Sequence, residues 1–231
     1  MRALLLAVLA LVMLAGCSGS ARFEPAQLAK ADIDRVADAH RREVSAGLRL
    51  LAEKLYRRNP REWKKGGQPS AEAALARIFD NSPPWLLAEL GGKRGTEAVL
   101  LSLREDYRGD RVAAFITGLG GMLHDAFNGR NEFFVIDDLD PQRLYNSARN
   151  LEIAAWKLAN ARDTAGELLL LSNEMNPVQN LSFEREFGKM IGNVDLLSRV
   201  VADKTNRTIV KAIQSMATAV FLPILAVPGL R

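Results

Sequence analysis

The chain has 231 residues, of which 48% are hydrophobic and 25% are charged, and its formal net charge is +4. This composition is typical of a globular protein, and it excludes a disordered chain and a collagen-like repeat. The single cysteine excludes an intramolecular disulfide, and the two histidines leave little material for a histidine-rich metal site.

The N-terminal residues have the layout of an export signal. Arg2 supplies a positive charge, and an uncharged apolar run of twelve residues follows over positions 3–14. A run of this length suits the apolar region of a signal peptide and is short for a bilayer span. A buried N-terminal helix is the weaker alternative, because Ser18-Gly19-Ser20 has the composition of a flexible tether. We therefore expect residues 1–16 to be a signal peptide that is removed.

The apolar run ends in Leu14-Ala15-Gly16-Cys17. This sequence resembles the lipobox of bacterial lipoproteins and lies where that class has it. The resemblance implies cleavage before Cys17 and attachment of diacylglycerol, usually with a further N-linked acyl chain, to that residue. In the enteric sorting pattern an Asp after the cysteine favours the inner membrane. Ser18 in this position therefore resembles the pattern of lipoproteins that are sorted to the outer membrane. The resemblance implies a lipid-anchored envelope protein that faces the periplasm; an ordinary secretory leader with an incidental cysteine is the alternative.

Removal of the leader leaves a body with an uneven charge. Residues 17–67 hold 12 Lys/Arg and 7 Asp/Glu, whereas residues 68–231 hold 18 and 20. The basic excess therefore lies next to the anchor in the sequence. The chain contains neither an internal repeat nor a stretch long enough to be an interdomain linker. We expect an acylated cysteine with a tether over residues 17–25 and a single helical domain over residues 26–231.

Helical periodicity runs through the first half of the body. Apolar residues at steps of three and four predict a helix over residues 26–58, which ends at Asn59-Pro60 because the residue before a proline avoids the α region. A polar loop is expected over residues 59–70, and then a helix that is capped by Ser70 and ends at Phe79. The elements expected next are a turn at 81–84, a short helix around 84–90 that ends at Gly91-Gly92, a helix from Thr96 to about Tyr107, a break at Gly109-Asp110, and a helix over 111–127 that ends at Asn128-Gly129.

The second half shows the same periodicity. Glu132–Ile136 is the one segment with strand character, and buried coil is an equal alternative for it. The helices expected after it are one that begins at Asp140-Pro141, one that starts at a Thr164/Glu167 capping box, contains Leu168–Leu171 and is closed by Asn176-Pro177, one over about 183–201, and one over about 206–222. Strand alternation is nearly absent, so we predict an all-α fold. We expect an irregular bundle of about eight helices with at most one short strand-like segment.

The basic stretch Lys54–Lys65 is a candidate binding surface. It contains six basic residues, one acid and two aromatics, Tyr56 and Trp63. Such a stretch can bind an anionic membrane or nucleic acid, or it can be a solvated helix end whose cations complement the helix dipole. The export signal argues against nucleic acid, which leaves phospholipid or another anionic envelope polymer as the expected partner. The candidate residues are Lys54, Arg57, Arg58, Arg61, Lys64 and Lys65.

The segment Val112–Phe127 is apolar and rich in glycine. Its glycines are Gly118, Gly120 and Gly121. Each costs a helix about 1 kcal/mol relative to alanine, and such residues typically mark a close approach of another backbone. The segment also contains His124 and Asp125 and is too short and too polar to span a membrane. We predict a buried core helix.

Asp137, Asp138 and Asp140 form an acidic cluster downstream of His124-Asp125. Carboxylates can hold Ca²⁺ or Mg²⁺, but the glycine turn and distal glutamate of an EF-hand loop are missing, and Asp140 is expected to cap a helix. A periplasmic hydrolase with an acid–base pair from these residues is an alternative function, although no Gly-x-Ser-x-Gly elbow is present. We assign no catalytic residue, no metal and no cofactor.

Two further features bear on function. Residues 212–230 are uncharged, and polar residues and prolines interrupt them, so we expect a packed helix and an extended tail; a membrane-dipping or partner-binding tail is the alternative. His40 lies on the apolar stripe of the first helix and is expected to be a core histidine with a hydrogen-bond partner. The sequence favours a non-catalytic binding, scaffold or assembly factor. An envelope protein is among its candidate partners, nucleic acid is not, and a membrane-active helical protein is the remaining alternative.

Overall fold

The computed structural model describes residues 32–80, 84–130, 139–174 and 178–224. Within these residues the chain forms seven α-helices and two short 3₁₀-helices and contains no strand, which confirms the predicted all-α class. The α-helices are α1 (Asp32–Arg58), α2 (Pro60–Lys65), α3 (Ala71–Phe79), α4 (Gly95–Ser102), α5 (Arg111–Ala126), α6 (Pro141–Asn160) and α7 (Ser182–Thr205). The 3₁₀-helices are Ala88–Leu90 and Met216–Thr218.

Several predicted features lie outside the described residues. They are the leader with its lipobox and Cys17, the tether, the first residues of the helix predicted over 26–58, most of the turn at 81–84, the segment Glu132–Ile136, the acidic residues Asp137 and Asp138, Asn176-Pro177, and the tail beyond residue 224. The predictions for these residues therefore stay predictions.

The centre of the core is α5. All of its 16 residues except His124 and Asp125 are buried. A Cβ added at Gly118 would lie 2.6 Å from the backbone nitrogen of Val99 in α4, and one added at Gly120 would overlap the Trp85 ring. The glycines thus let α4 and Trp85 pack directly on the backbone of α5, and the predicted buried helix is confirmed.

The helices α1 and α7 pack against each other in antiparallel directions. His40 in the first half of α1 is half-buried, and its Nδ1 lies 3.0 Å from Oδ1 of Asn193 in α7. At the other end, the Lys54 Nζ donates a 2.8 Å hydrogen bond to the carbonyl of Ser182, where α7 begins. His40 therefore has the hydrogen-bond partner that was expected of it.

This packing gives the bundle two distinct ends. The Asp32 end holds the start of α1, the end of α7 and the start of α6, because Gln142 in the first turn of α6 binds Val210 just beyond α7. The Arg58 end holds the end of α1 and the start of α7. At 1.5 Å per residue, the 27 residues of α1 separate the two ends by about 40 Å.

The predicted helix starts are confirmed where a side chain caps the first turn. Ser70 accepts from the Ala73 N–H, Asp110 from the Ala113 N–H, and Asp140 from the Gln142 N–H, at 3.2, 2.9 and 2.8 Å. Each of these side chains satisfies a backbone N–H that has no partner within its helix.

Two predicted boundaries are wrong. Pro60 ends α1, as expected, but it also begins α2 in what was predicted to be a polar loop, because the first turn of a helix needs no N–H from proline. The helix α4 ends at Ser102 instead of near Tyr107. The buried guanidinium of Arg111 donates to the carbonyls of Ser102 and Arg104, at 2.7 and 2.6 Å, and so supplies hydrogen bonds to carbonyl groups at the end of α4.

The predicted helix over Leu168–Leu171 is also wrong. Oδ1 of Asp163 accepts from the backbone N–H groups of Ala165 and Glu167, at 3.0 and 2.9 Å. Gly166 has a φ of +85°, so this segment forms a tight turn. The Thr164 hydroxyl donates to Glu105, at 2.6 Å, instead of capping a helix.

The predicted helix over residues 206–222 is wrong as well. After Asn206, which ends α7 with a φ of 53°, the chain is not helical except over Met216–Thr218. We call residues 207–224 the C-terminal strap. It lies along α6, whose side chains bind its backbone. None of the helices that the structure describes has the length and apolar character needed to cross a membrane.

Candidate functional site

The six candidate residues of the basic stretch lie at the Arg58 end of the bundle, and half of them are occupied by partners within the protein. The internal pairs are Lys54 with the Ser182 carbonyl at 2.8 Å, Arg58 with Glu174 at 2.9 Å, and Lys65 with Glu62 at 2.6 Å. Arg57, Arg61 and Lys64 are exposed, and no carboxylate in the described part of the chain pairs with them. The structure therefore leaves three cations available to an anionic partner.

The aromatics of the basic stretch belong to the core. Tyr56 is buried, and its hydroxyl donates a 2.8 Å hydrogen bond to Oδ2 of Asp110. Trp63 is half-buried against the core, and the Nζ of Lys64 lies 5.2 Å from its ring centroid. Binding of single-stranded nucleic acid relies on exposed aromatic faces between cations. At the end of α1 and in α2 the aromatics point inward and the three free cations are exposed, which is the pattern of amphipathic helices.

The basic stretch lies far from the residue at which the connection to Cys17 enters the body. Cys17 is joined to the Asp32 end of α1, whereas the basic stretch begins near the other end of that helix. The length of α1 places the cations about 40 Å from the residue at which the connection to Cys17 enters the helix. The basic stretch and the residue at which the connection to Cys17 enters α1 therefore lie at opposite ends of the bundle.

His124 lines a cavity of about 340 Å³ between α1, α3 and α5. The walls combine apolar side chains such as Leu48 and Ile78 with the charged residues Arg41 and Arg130. Burial lowers the pKa of His124, and the neighbouring Asp125 opposes this shift. The imidazole is therefore neutral at pH 7 and is able to accept a proton only in acid.

The acid–base set of the hydrolase alternative is not assembled among the described residues. Asp125 lines a different cavity, of about 530 Å³, where it lies 3.9 Å from Arg94 and near the end of the strap. Asp140 caps α6 through the Gln142 N–H. His124 and Asp125 are thus neighbours in the sequence that serve separate cavities.

A buried polar cluster around Asp110 was not recognised from the sequence, which indicated Asp110 only as a helix cap. Its carboxylate accepts from the Ala113 N–H and from the hydroxyl of Tyr56, at 2.9 and 2.8 Å, and lies 3.6 Å from Nη2 of Arg77. Burial is the largest effect on Asp110 and raises its pKa, whereas its hydrogen bonds lower it. The cluster ties α1 and α3 to the start of α5, which is a structural task.

A row of polar side chains on α6 holds the strap. Tyr145, Asn146 and Asn150 lie three, four and eight residues after Gln142, so the four side chains share one helix face. Gln142 binds the N–H and the carbonyl of Val210, at 2.7 and 3.0 Å. Asn150 binds the same two groups of Leu222, at 2.6 and 2.8 Å.

The two middle members of the row complete this binding. The Tyr145 hydroxyl accepts from the Ala212 N–H at 3.1 Å, and the Asn146 amide donates to the Pro223 carbonyl at 2.8 Å. These contacts take up backbone groups that a helix would use, which explains why the strap is not helical. The signal in the sequence was the series of amide side chains at positions 142, 146 and 150, which recur every four residues along the helix.

Replacement of Asn150 by alanine is expected to release the strap. Asn150 is buried, and its loss leaves both backbone groups of Leu222 without their partner. A lost pair of this kind corresponds to about tenfold or more in the opening equilibrium. Amide hydrogen exchange should accelerate by that factor within the strap and stay unchanged in α5.

A matched substitution is available on the same helix. The side chain of Asn160 bonds only the Trp156 carbonyl within α6, so Asn160→Ala should leave exchange in the strap unchanged. Equal acceleration in both variants would show that α6 as a whole was weakened and that the row does not hold the strap.

The comparisons with known proteins add no relative. The chain was compared with protein-family models, with curated proteins and with solved structures, and none matches. No group of three or more metal-ligating His, Cys, Asp or Glu side chains occurs among the residues that the structure describes.

Proposed function

We propose that the protein is a lipid-anchored bacterial envelope lipoprotein whose helical body is a non-catalytic binding, scaffold or assembly factor. The observation that carries the proposal is Leu14-Ala15-Gly16-Cys17 at the end of a twelve-residue apolar run. Cys17 is the one cysteine, so acylation would leave no free thiol, which suits an oxidising periplasm. Each buried methylene of an acyl chain contributes about 0.8 kcal/mol, and two or three chains make the attachment effectively stable.

The use of the buried carboxylates supports a non-catalytic body. Asp110 caps α5 and binds Tyr56, and Glu62 accepts from the backbone N–H of Arg111 at 2.8 Å. Glu186 lies 4.0 Å from Lys54 and helps to join α1 to α7. Each of these groups is engaged in holding helices together, as in a rigid scaffold.

The exposed cations at the Arg58 end are the surface we propose for the binding role. Arg57, Arg61 and Lys64 lie about 40 Å from the end that is joined to Cys17. A partner bound there would lie away from the point of attachment. An anionic envelope polymer or an acidic face of an envelope protein fits this surface, and the proposed location is the outer membrane, facing the periplasm.

Cys17→Ala tests the anchor. We expect the wild-type protein to carry labelled acyl chains and to partition into detergent, and the variant to lose the label and the partitioning because the acylated thiol is gone. Ser18→Ala is the matched control, since it leaves the four lipobox residues intact. A wild-type protein without acyl label would refute the anchor.

The binding role has its own test. Crosslinking of the acylated protein in its native envelope should capture a defined partner. Charge reversal of Arg57, Arg61 and Lys64 should abolish that crosslink while the protein stays in the membrane. A crosslink that survives the reversal would place the binding surface elsewhere on the body.

A further inference from the structure

We propose that the C-terminal strap docks on an anionic lipid bilayer and orients the body with its Asp32 end toward the membrane. The inference rests on the proposed lipid anchor, because the strap alone is small. It adds a second contact with the bilayer, and with it a defined orientation of the protein.

The outer side of the strap exposes aliphatic side chains. Val210, Ile213 and Val220 are 75%, 98% and 67% exposed. Single exposed apolar residues are ordinary on protein surfaces, but these three belong to one short segment. The side chain of Gln214, the residue after Ile213, binds both backbone groups of Val220, at 2.9 and 3.2 Å. This contact keeps Ile213 and Val220 close to each other in the strap.

The strap is fixed from behind, so its outer side is a prepared surface. Ala219 and Ile224 are buried, and the backbone at Val210 and Leu222 is bound by α6. Docking would therefore order few additional residues, and its entropic cost would be small. An extended segment that already shows its apolar side chains outward can enter the headgroup region without unfolding.

The charge of the strap complements an anionic membrane. Residues 207–224 contain Arg207 and Lys211 and no acid. Both cations are exposed, and no carboxylate in the described ranges pairs with them. Basic residues next to apolar ones are the combination that interfacial segments use, because the cations meet phosphate while the aliphatic groups enter the acyl boundary.

The place of the strap in the fold favours the same orientation. The strap begins where α7 ends, at the Asp32 end of the bundle. Fifteen peptide units join Cys17 to Asp32, and a chain of that length reaches at most about 50 Å. The connection enters the body at the end where the strap begins, so the shortest path from an anchored Cys17 leads to this surface.

The Arg58 end is the competing surface, and its charge is less suitable. It also exposes an apolar side chain, Val178, at 76%. Acidic residues are mixed with its cations, however, among them Glu174 in its pair with Arg58 and the exposed Glu184. A flat headgroup layer would meet these acids together with the cations, whereas the strap itself contains no acid, and Glu152, the carboxylate in the cavity beside Ile213, pairs with Arg149 at 3.0 Å.

Two single-cysteine variants distinguish the ends. Val210→Cys and Val178→Cys each replace a valine, and the two valines are almost equally exposed, at 75% and 76%. The two positions lie beyond opposite ends of α7. Each variant is made in the acylated protein, in which Cys17 is blocked, and is labelled with an environment-sensitive fluorophore. The labelled proteins are reconstituted in vesicles of phosphatidylglycerol and phosphatidylethanolamine. We expect a shift to shorter wavelength and quenching by brominated lipid at position 210, and emission as in water at position 178.

Each other result overturns the inference in a recognisable way. A signal at position 178 alone would put the Arg58 end on the bilayer, and signals at both positions would indicate adsorption without orientation. Emission as in water at both positions, from protein that floats with the vesicles, would refute docking and leave the anchor in place. Two labels per chain and no flotation would show that Cys17 is not acylated, which removes the anchor and the docking inferred from it.

Discussion

Gly118→Ala is expected to lower the free energy of unfolding by about 2 kcal/mol, although alanine is the better helix former. The added Cβ would lie 2.6 Å from the backbone nitrogen of Val99 and 2.7 Å from the carbonyl oxygen of Gly95. Both are backbone atoms of α4, so no side-chain rotation relieves the overlap and α4 must shift away from α5. Urea unfolding followed by far-UV circular dichroism measures the change.

The same substitution at Gly188 is the matched control. Gly188 lies on an exposed side of α7, and a Cβ there would meet no atom within 4 Å. Gly188→Ala should therefore raise the free energy of unfolding by about 0.5–1 kcal/mol through helix propensity alone. If the same glycine-to-alanine change lowers the free energy of unfolding at position 118 and raises it at position 188, the effect of packing is distinguished from that of helix propensity. A Gly118→Ala variant as stable as the wild type would contradict the direct contact between α4 and the α5 backbone.

The sequence contained enough information for the long helices because their signals are local. The apolar steps of three and four along α1, α6 and α7, and caps such as Ser70 and Asp140, involve residues within one or two turns. The strap shows the limit of this information. Its residues were compatible with a helix, but α6 binds their backbone from about seventy positions away in the chain.

The binding surface could be predicted only in part for the same reason. Six cations in Lys54–Lys65 are visible in the sequence, but their availability depends on distant partners. Arg58 pairs with Glu174, and Tyr56 binds Asp110, across 116 and 54 positions. Likewise, the part of the basic excess that lies in Lys54–Lys65 is placed a helix length from Asp32 once α1 forms. Charge counts along a sequence therefore indicate which charges a surface can contain, but not where in the fold these charges lie or which of them are paired.

The two ends of the bundle suggest a division of tasks that the sequence alone did not show. The Asp32 end combines the connection to Cys17 with the apolar and basic strap, whereas the Arg58 end presents cations and acids in a mixed surface. A body that is attached and docked at one end leaves the other end free for a partner. The proposed docking and the proposed binding role thus require different ends and do not compete.

Asp110→Ala is expected to lower the free energy of unfolding by about 3 kcal/mol. The substitution removes the cap of α5 and leaves the buried hydroxyl of Tyr56 without its acceptor. Asp140→Ala is the matched control, because Asp140 caps α6 from a less buried position, and its loss should cost about 1 kcal/mol. Equal losses in the two variants would show that the bond to Tyr56 contributes nothing.

The pH dependence of stability tests the state of the Asp110 carboxyl independently. Burial raises its pKa in the folded protein above the value of about 3.9 in the unfolded chain, so the folded state binds the proton more tightly. The contribution of this group to stability is then largest below the unfolded pKa and decreases as the pH rises through the folded pKa. Asp110→Asn cannot titrate, so the stability of the wild type relative to this variant should fall from pH 3 toward neutrality in urea unfolding. A relative stability that rises with pH would mean that the hydrogen bonds from Ala113 and Tyr56 outweigh burial and hold the carboxyl ionised.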